Sequence, residues 1–331
     1  MDALIDFGLE ASRYLQDAFP FLAGFFDGIS ILGNEISYLL FLPLIYWCLH
    51  KEYGRHLSYV FLISTFVNLL GKHTFRQPRP FWLDETLRVS GESPSYGVPS
   101  GHSQNATFIA LFFATKLRKT WVWWVAILFI ALMMISRVYL GLHFVHDVLL
   151  GFILGVLVLV GYYLWLYFAH KLFTKRILGY RLMFAVILPL LLAGIYTAVL
   201  FLIGEPNQNA PWADFFEEAE KESIESITTA VSSLLGTGIG LIFEKSRVRF
   251  KVDGPIWKRT LRYIIGIAVA GSIWAGLGAI FPDEPYAVAI PLRAIRYTLL
   301  TLWITYYAPL IFVFTRLADA EPEPEIDLSL D

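Results

Sequence analysis

Long apolar runs broken by short polar stretches set the pattern of this chain. A helix needs roughly 20 apolar residues to cross a bilayer core, with about 17 to 25 tolerated, so each such run predicts a span. Nine spans are predicted, near 35–50, 56–71, 101–116, 120–138, 147–168, 182–203, 226–243, 261–281 and 297–315. Ahead of them, Leu4 to Tyr14 has an amphipathic pattern, and Phe19 to Leu32 is apolar but short and interrupted by Asp27. Both are expected to be interfacial helices lying on the membrane. The pattern predicts an all-α, polytopic membrane helical bundle. Residues 1–34 hold the interfacial helices, 35–204 a six-span core, 205–317 a membrane extension of about three further spans, and 318–331 an acidic, proline-containing tail expected to be disordered.

Composition strengthens the membrane reading. Of the 331 residues, 56% are hydrophobic and 16% charged, against about 25% charged in soluble domains. The net charge of -2 gives no basic surface for nucleic acid, and no nucleic-acid partner is expected. The single cysteine, Cys48, sits in an apolar run and reads as packing. The opening Met-Asp-Ala-Leu-Ile-Asp lacks the basic start of a cleavable signal peptide, so the first span is expected to direct its own insertion.

Lysine and arginine separate the loops into two sets, and cytoplasmic loops are the ones enriched in them. One set holds Lys51 and Arg55; Lys116, Arg118 and Lys119; Lys171, Lys175, Arg176 and Arg181; and the basic run from Lys245 to Arg259. The other includes the acidic stretch Glu205 to Glu225, in which Lys221 is the one basic residue. This alternation predicts an outside N-terminus and an inside C-terminus.

Three polar clusters at predicted span ends carry the candidate chemistry, because polar groups there are costly unless they do something. Lys72-His-Thr-Phe-Arg76-Gln-Pro-Arg79-Pro80 follows the second span. It reads either as a snorkelling basic collar or as an anion clamp, and the alternation places it on the face where a collar is not expected. Pro99-Ser100-Gly101-His102-Ser103 precedes the third span. It reads either as a plain helix cap or as an anion site on exposed backbone N–H groups with a titratable His102 beside it. Ser136-Arg137 ends the fourth span, and His143 and Asp147 follow, four residues apart. They read either as a self-satisfying helix-end pair or as a histidine oriented by a carboxylate, with one ring nitrogen left to attack. All three clusters fall on one membrane face under the alternation.

Taken together, three cations, a helix start, two histidines and one carboxylate make a phosphate site with acid–base groups. His143, His146 and Asp147 are the one grouping with metal-ligand side chains, and the surrounding cations oppose a divalent ion, so no metal is expected.

The linked motifs Lys-x6-Arg-Pro, Pro-Ser-Gly-His and Ser-Arg-x5-His-x3-Asp resemble those of the type 2 phosphatidic acid phosphatases. They are carried here by Lys72 with Arg79 and Pro80, by Pro99 to His102, and by Ser136, Arg137, His143 and Asp147, with no departure in residue or spacing. The resemblance covers roughly residues 35 to 200 and implies a six-helix phosphatase core with its site at the outer, non-cytoplasmic ends of the helices. It implies that His143 is the nucleophile that forms a phosphohistidine, with Asp147 fixing its tautomer. It further implies that His102 is the general acid and then base, and that Lys72, Arg79, Ser100, Gly101 and Arg137 cradle phosphate, with no cofactor. The expected substrate is a lipid phosphate or a polyprenyl diphosphate presented by the surrounding membrane lipids. His73, Arg76 and His146 match no motif position, though Arg76 and His146 are near enough to line a pocket. The loop from Phe81 to Val98, with Trp82 and Tyr96, is expected to shape the entrance. Vanadium haloperoxidases share the constellation but are soluble, and a transporter or scaffold holding an anion site is the other reading. The sequence fixes no oligomeric state.

Overall fold

The computed structural model describes residues 3–87 and 94–322. Apart from one isolated bridge between Phe250 and Ala320, regular structure among these residues is helical. In chain order the helices are α1 (Ala3–Ala18), α2 (Ala23–Ile31), α3 (Glu35–Leu44), α4 (Lys51–Phe75), α5 (Pro80–Leu83), α6 (Gly101–Leu117), α7 (Thr120–Tyr139), α8 (Val145–Phe168), α9 (His170–Thr174), α10 (Leu178–Ile203), α11 (Phe216–Phe243), α12 (Ile256–Ile280), α13 (Tyr286–Leu302) and α14 (Ala308–Phe314). Single π turns follow α3, α11 and α13.

Among the described residues, six helical stretches are long and apolar enough to cross a membrane: Thr120–Tyr139, Val145–Phe168, Leu178–Ile203, Ala213–Val248, Ile256–Ile280 and Tyr286–Phe314. The expected span at 35–50 qualifies only jointly with Pro20–Ile31, across a bend of 51°. The helices at the expected spans 56–71 and 101–116, α4 and α6, do not qualify, and the reason is physical. The face of α6 holding Ser103, Gln104, Asn105 and Thr107 is polar but buried in protein. Gln104 Nε2 donates to Ser64 O at 2.8 Å, Asn68 Nδ2 to Gln104 Oε1 at 2.9 Å, and Ser64 Oγ to Asn105 Oδ1 at 3.0 Å. A helix whose polar atoms are satisfied by neighbouring helices has no need of an apolar surface all round.

The chain divides into two compact units. The first comprises Met1–Leu39, Val60–Ile177 and Ile187–Val231; the second comprises Leu40–Tyr59, Leu178–Val186 and Ser232–Asp331. The division does not fall at the expected 204/205 boundary, since residues 205–231 group with the first unit.

In the first unit α6 packs closely on α8. Gly151 and Gly155, one turn apart on α8, face α6 so tightly that a Cβ at each would stand 2.4 Å from Ser100 O and 2.5 Å from Gln104 O. Small residues at this spacing let two helix backbones approach, which fixes where α6 starts relative to α8. The N-terminal helices, expected to lie on the membrane, pack on this unit: Ser12 Oγ donates to Val138 O at 2.9 Å, and Phe26 is buried with Tyr139, their ring centroids 4.8 Å apart.

In the second unit the guanidinium of Arg262, fully buried, donates to the carbonyls of Trp47, Lys251, Val252, Asp253 and Leu317. The buried Glu244 pairs with Lys51 at 2.9 Å. The start of the tail is held here, with Lys251 N donating to Asp319 O at 2.7 Å and Glu321 N to Arg249 O at 2.7 Å. Residues 323–331 of the expected disordered tail lie outside the described residues.

Candidate active site

The site lies in the first unit and is built from helix ends. Lys72 occupies the last turn of α4. That helix stops because Arg76 takes a left-handed backbone, φ 47°, with its N–H closing on Lys72 O at 3.0 Å. For a residue with a Cβ this conformation costs about 1–2 kcal/mol, so other contacts must hold it. Lys72 Nζ donates to Ser95 Oγ at 3.0 Å and Tyr96 O at 2.5 Å, using two of its three donors. Arg79, only 2% exposed, spreads its fork over Ser95 O at 2.5 Å, Ser95 Oγ at 2.9 Å and Leu142 O at 2.9 Å. Burial pushes its guanidinium down to about 10, which leaves it a cation at neutral pH.

Ser100 caps α6, with its Oγ facing Ser103 N at 3.5 Å, and its own N–H donates to Asp147 O at 3.1 Å. This bond joins the second motif to the third. His102, in the first turn, places Nε2 3.0 Å from Asn34 Oδ1. Gly33 is tight against the ring, where a Cβ would stand 2.3 Å from His102 Cδ2.

The turn between α7 and α8 presents His143. Gly141 adopts φ 63°, with Leu87 O lying 2.2 Å from where a Cβ would be, so both conformation and space require glycine. Arg137 O accepts from Leu142 N at 3.1 Å and His143 N at 3.2 Å. His143 Nδ1 lies 3.2 Å from Asp147 Oδ2, and Arg79 Nη1 lies 3.4 Å from His143 Nε2. Arginine only donates, so this contact needs a bare lone pair on Nε2 and places the ring proton on Nδ1, toward the carboxylate. Burial, then the charges of Arg79, Arg137 and Lys72, hold His143 well below the ordinary imidazole value, which keeps the ring neutral at neutral pH. Arg137 is buried and donates to Ser30 Oγ, while its Nε has no hydrogen-bond partner among the described residues.

The structure thus joins Lys72, Arg79, Ser100, Arg137, His143 and Asp147 through shared partners, while His102, two residues after Ser100 with Gly101 between them, has its own partner in Asn34. Of the neighbouring polar residues, His146 touches this network at Asp147. His146 stacks on Phe144, ring centroids 5.4 Å apart, and its Nε2 lies 3.1 Å from Asp147 Oδ1 without the alignment of a hydrogen bond. His73 and Arg76 turn away toward Glu220. Phe81, Trp82 and Tyr96, expected at an entrance, are buried in an apolar cluster; residues 88–93 of that loop lie outside the described residues. Ser30, Asn34 and Ser95 contact the site and belong to no motif. Among the described residues no three His, Cys, Asp or Glu side chains are grouped to hold a metal ion.

Two family models match the chain, the PAP2 superfamily over residues 53–171 and the PAP2 superfamily phosphatase transmembrane extension over residues 228–320. The chain is 30% identical over 135 residues to sphingosine-1-phosphate phosphatase 1 of Mus musculus, covering 39% of this chain and 31% of that protein. It is 26% identical over 298 residues to glucose-6-phosphatase catalytic subunit 1 of Mus musculus, covering 78% of this chain and 80% of that one. The chain spans about a third of the length of the curated sphingosine-phosphate phosphatases that it matches. Among solved structures, the transmembrane PAP2-type phosphatidylglycerolphosphate phosphatase of Bacillus subtilis aligns over 49% of this chain and 86% of its own, with 28% identity and a TM-score of 0.42. All three motifs lie within the first matched segment, the C-terminal helices fall in the second, and the chain belongs to the PAP2 superfamily of membrane phosphatases.

Proposed function

We propose that this membrane protein hydrolyses a lipid phosphate or pyrophosphate without a metal, through a phosphohistidine at His143. The observation that carries the reading is the placement of His143: Asp147 accepts a hydrogen bond from Nδ1–H while the bare Nε2 faces the Arg79 guanidinium. A phosphate whose oxygens sit on that guanidinium presents its phosphorus to the Nε2 lone pair.

In the first step the Nε2 lone pair forms a bond to phosphorus and the bond from phosphorus to the leaving oxygen breaks. His102 donates its proton to that oxygen, releasing the lipid alcohol, or the lipid monophosphate where the substrate is a diphosphate. Lys72, Arg79 and Arg137 offset charge on the three equatorial oxygens, which is the main demand of phosphoryl transfer. Asp147 stabilises the positive ring while it carries the phosphoryl group. In the second step His102 takes a proton from water, the water oxygen bonds to phosphorus, the P–N bond breaks, and its electron pair returns to Nε2. The cations supply the charge stabilisation that a divalent ion supplies in other phosphatases.

The helix ends that hold the site are opposite the basic turn Lys116 to Lys119, and the bias of lysine and arginine toward the cytoplasm therefore favours a site on the non-cytoplasmic face. A lipid is the preferred substrate class, because a site at helix ends meets head groups presented by the bilayer. Purified protein in detergent with chelator present, offered sphingosine phosphate, phosphatidic acid, polyprenyl diphosphate and glucose phosphate, tests this. Release from a lipid phosphate that persists under chelation and ranks above glucose phosphate is expected. Release abolished by chelator, or confined to glucose phosphate, would overturn the reading, and transport without release would favour a carrier.

A further inference from the structure

The stretch expected to be an acidic loop is the beginning of α11, ten residues earlier than the predicted span. Its first turn is driven into the first unit by apolar contacts. Phe216 and Ala219 are buried with Trp82 and Tyr96, the Phe215 ring stacks on Trp82 with centroids 4.7 Å apart, and Phe216 lies 6.2 Å from the Tyr96 ring. Glu220 follows at once.

Its carboxylate is shared among three donors. Oε1 accepts from the Tyr96 hydroxyl at 2.5 Å and from Arg76 Nε at 3.0 Å, and Oε2 accepts from His73 Nε2 at 2.5 Å. His73 is fully buried, with its Nδ1 2.5 Å from the Tyr196 hydroxyl. Each donor is adjacent to the phosphate clamp. His73 follows Lys72 on α4. Arg76, in its left-handed conformation, ends that helix and turns the chain toward Arg79, with a second anchor from its Nη1 to Gly204 O at 2.6 Å. The Tyr96 carbonyl accepts from Lys72 Nζ at 2.5 Å and from Arg79 Nη2 at 3.4 Å.

We infer that Glu220, from a helix beyond the six-span core, is a positioning residue that sets Lys72 and Arg79 through Tyr96 and Arg76. The inference rests on the phosphate site proposed above. Lysine is a point charge on a flexible stem, so it is useful in a clamp only where its seat is fixed. That seat is a carbonyl in the segment 94–100, and Glu220 holds the side chain of the same residue. A carboxylate suits the task because its two oxygens offer about four acceptor positions, and bonds to an ionised acceptor are the strong ones.

The test is a double-mutant cycle with Glu220→Ala and Tyr96→Phe in the full chain in detergent. It is read by the Kd for inorganic phosphate and by amide hydrogen exchange over 94–101, where Gly97 N donates to Gln77 O and Ser100 N to Asp147 O. Each single variant is expected to weaken phosphate binding about tenfold and to raise KM more than it lowers kcat. The double variant is expected to lose little more than either single one. Glu220→Gln, which keeps an acceptor for Tyr96, is expected to recover part of the loss. Unchanged binding with unchanged exchange would overturn the inference, and additive losses would overturn the link through Tyr96. If the wild-type chain neither binds nor releases phosphate, the functional reading fails separately. The exchange then decides the placement alone, with faster exchange in both variants supporting it and unchanged exchange overturning it.

Discussion

The Asp147 oxygen that faces His143 Nδ1 at 3.2 Å also accepts the Phe144 amide at 2.9 Å. The carboxylate is therefore held by the backbone of its own helix start, and the histidine ring takes its orientation from a fixed partner. Asp147→Asn can keep an oxygen at this position but loses the charge that stabilises a phosphorylated ring. By comparison with other carboxylate–histidine pairs, kcat is expected to fall roughly 10³–10⁴-fold with little change in thermal midpoint. Asp147→Ala is expected also to lose about 1–3 kcal/mol of stability, because it leaves a buried N–H unpaired. Turnover beside a thermal melt separates the two.

Arg79→Lys tests the fork. One ammonium cannot replace a guanidinium that reaches both Ser95 and Leu142 while lying beside His143. A loss of about 10²-fold or more in kcat/KM is expected, with no rescue at higher pH. Steady-state kinetics on a short-chain lipid phosphate checks it.

Gly33→Ala places a methyl group against the His102 ring, whereas a Cβ at Gly28 meets nothing within 4 Å. Gly33→Ala is expected to lower kcat about tenfold or more by displacing the proton donor, and Gly28→Ala to leave turnover unchanged. Equal effects in the two variants would count against a role for the α2–α3 corner at His102.

The pH dependence follows from the lowered value of His143, which burial causes first and Arg79 second. With the neutral ring as the proposed nucleophile, protonation of His143 is expected to limit activity only below the ordinary imidazole value of about 6.5. The unfolded chain binds this proton first, so stability also falls as pH drops below about 6.5, until the native value is passed. A kcat/KM profile with its acid limb assigned to His143 near or above 6.5 would contradict this.

Much of the site was legible because its residues repeat a spaced motif, and helix-end geometry then dictates their meeting. Lys72, Arg79 and His143 stand out as candidates by residue type at predicted span ends, and their spacing matches the family motifs that imply their roles. Ser95 was not, because a loop serine carries no periodic signal and its importance lies in what reaches it. Ser30 and Asn34 were hidden because they lie in and just after the short apolar stretch Phe19 to Leu32, which reads as a membrane-surface helix. Glu220 was hidden by the acidic run around it: the apolar residues at 216, 219 and 227 mark a buried helix face, but Glu217, Glu218, Glu222 and Glu225 mask that face when the stretch is scanned for charge. For helix α6 the sequence predicts a span at 101–116 but does not show that Gln104 and Asn105 find their partners in Ser64 and Asn68 of α4.

The proposed chemistry turns on a covalent intermediate at His143. Rapid quenching of the wild-type protein during turnover of a ³²P-labelled lipid phosphate, followed by peptide mapping, measures it directly. Acid-labile, base-stable label is expected on the peptide holding His143 and is expected to be absent in His143→Ala. Full turnover in His143→Ala, or label on another residue, would contradict it.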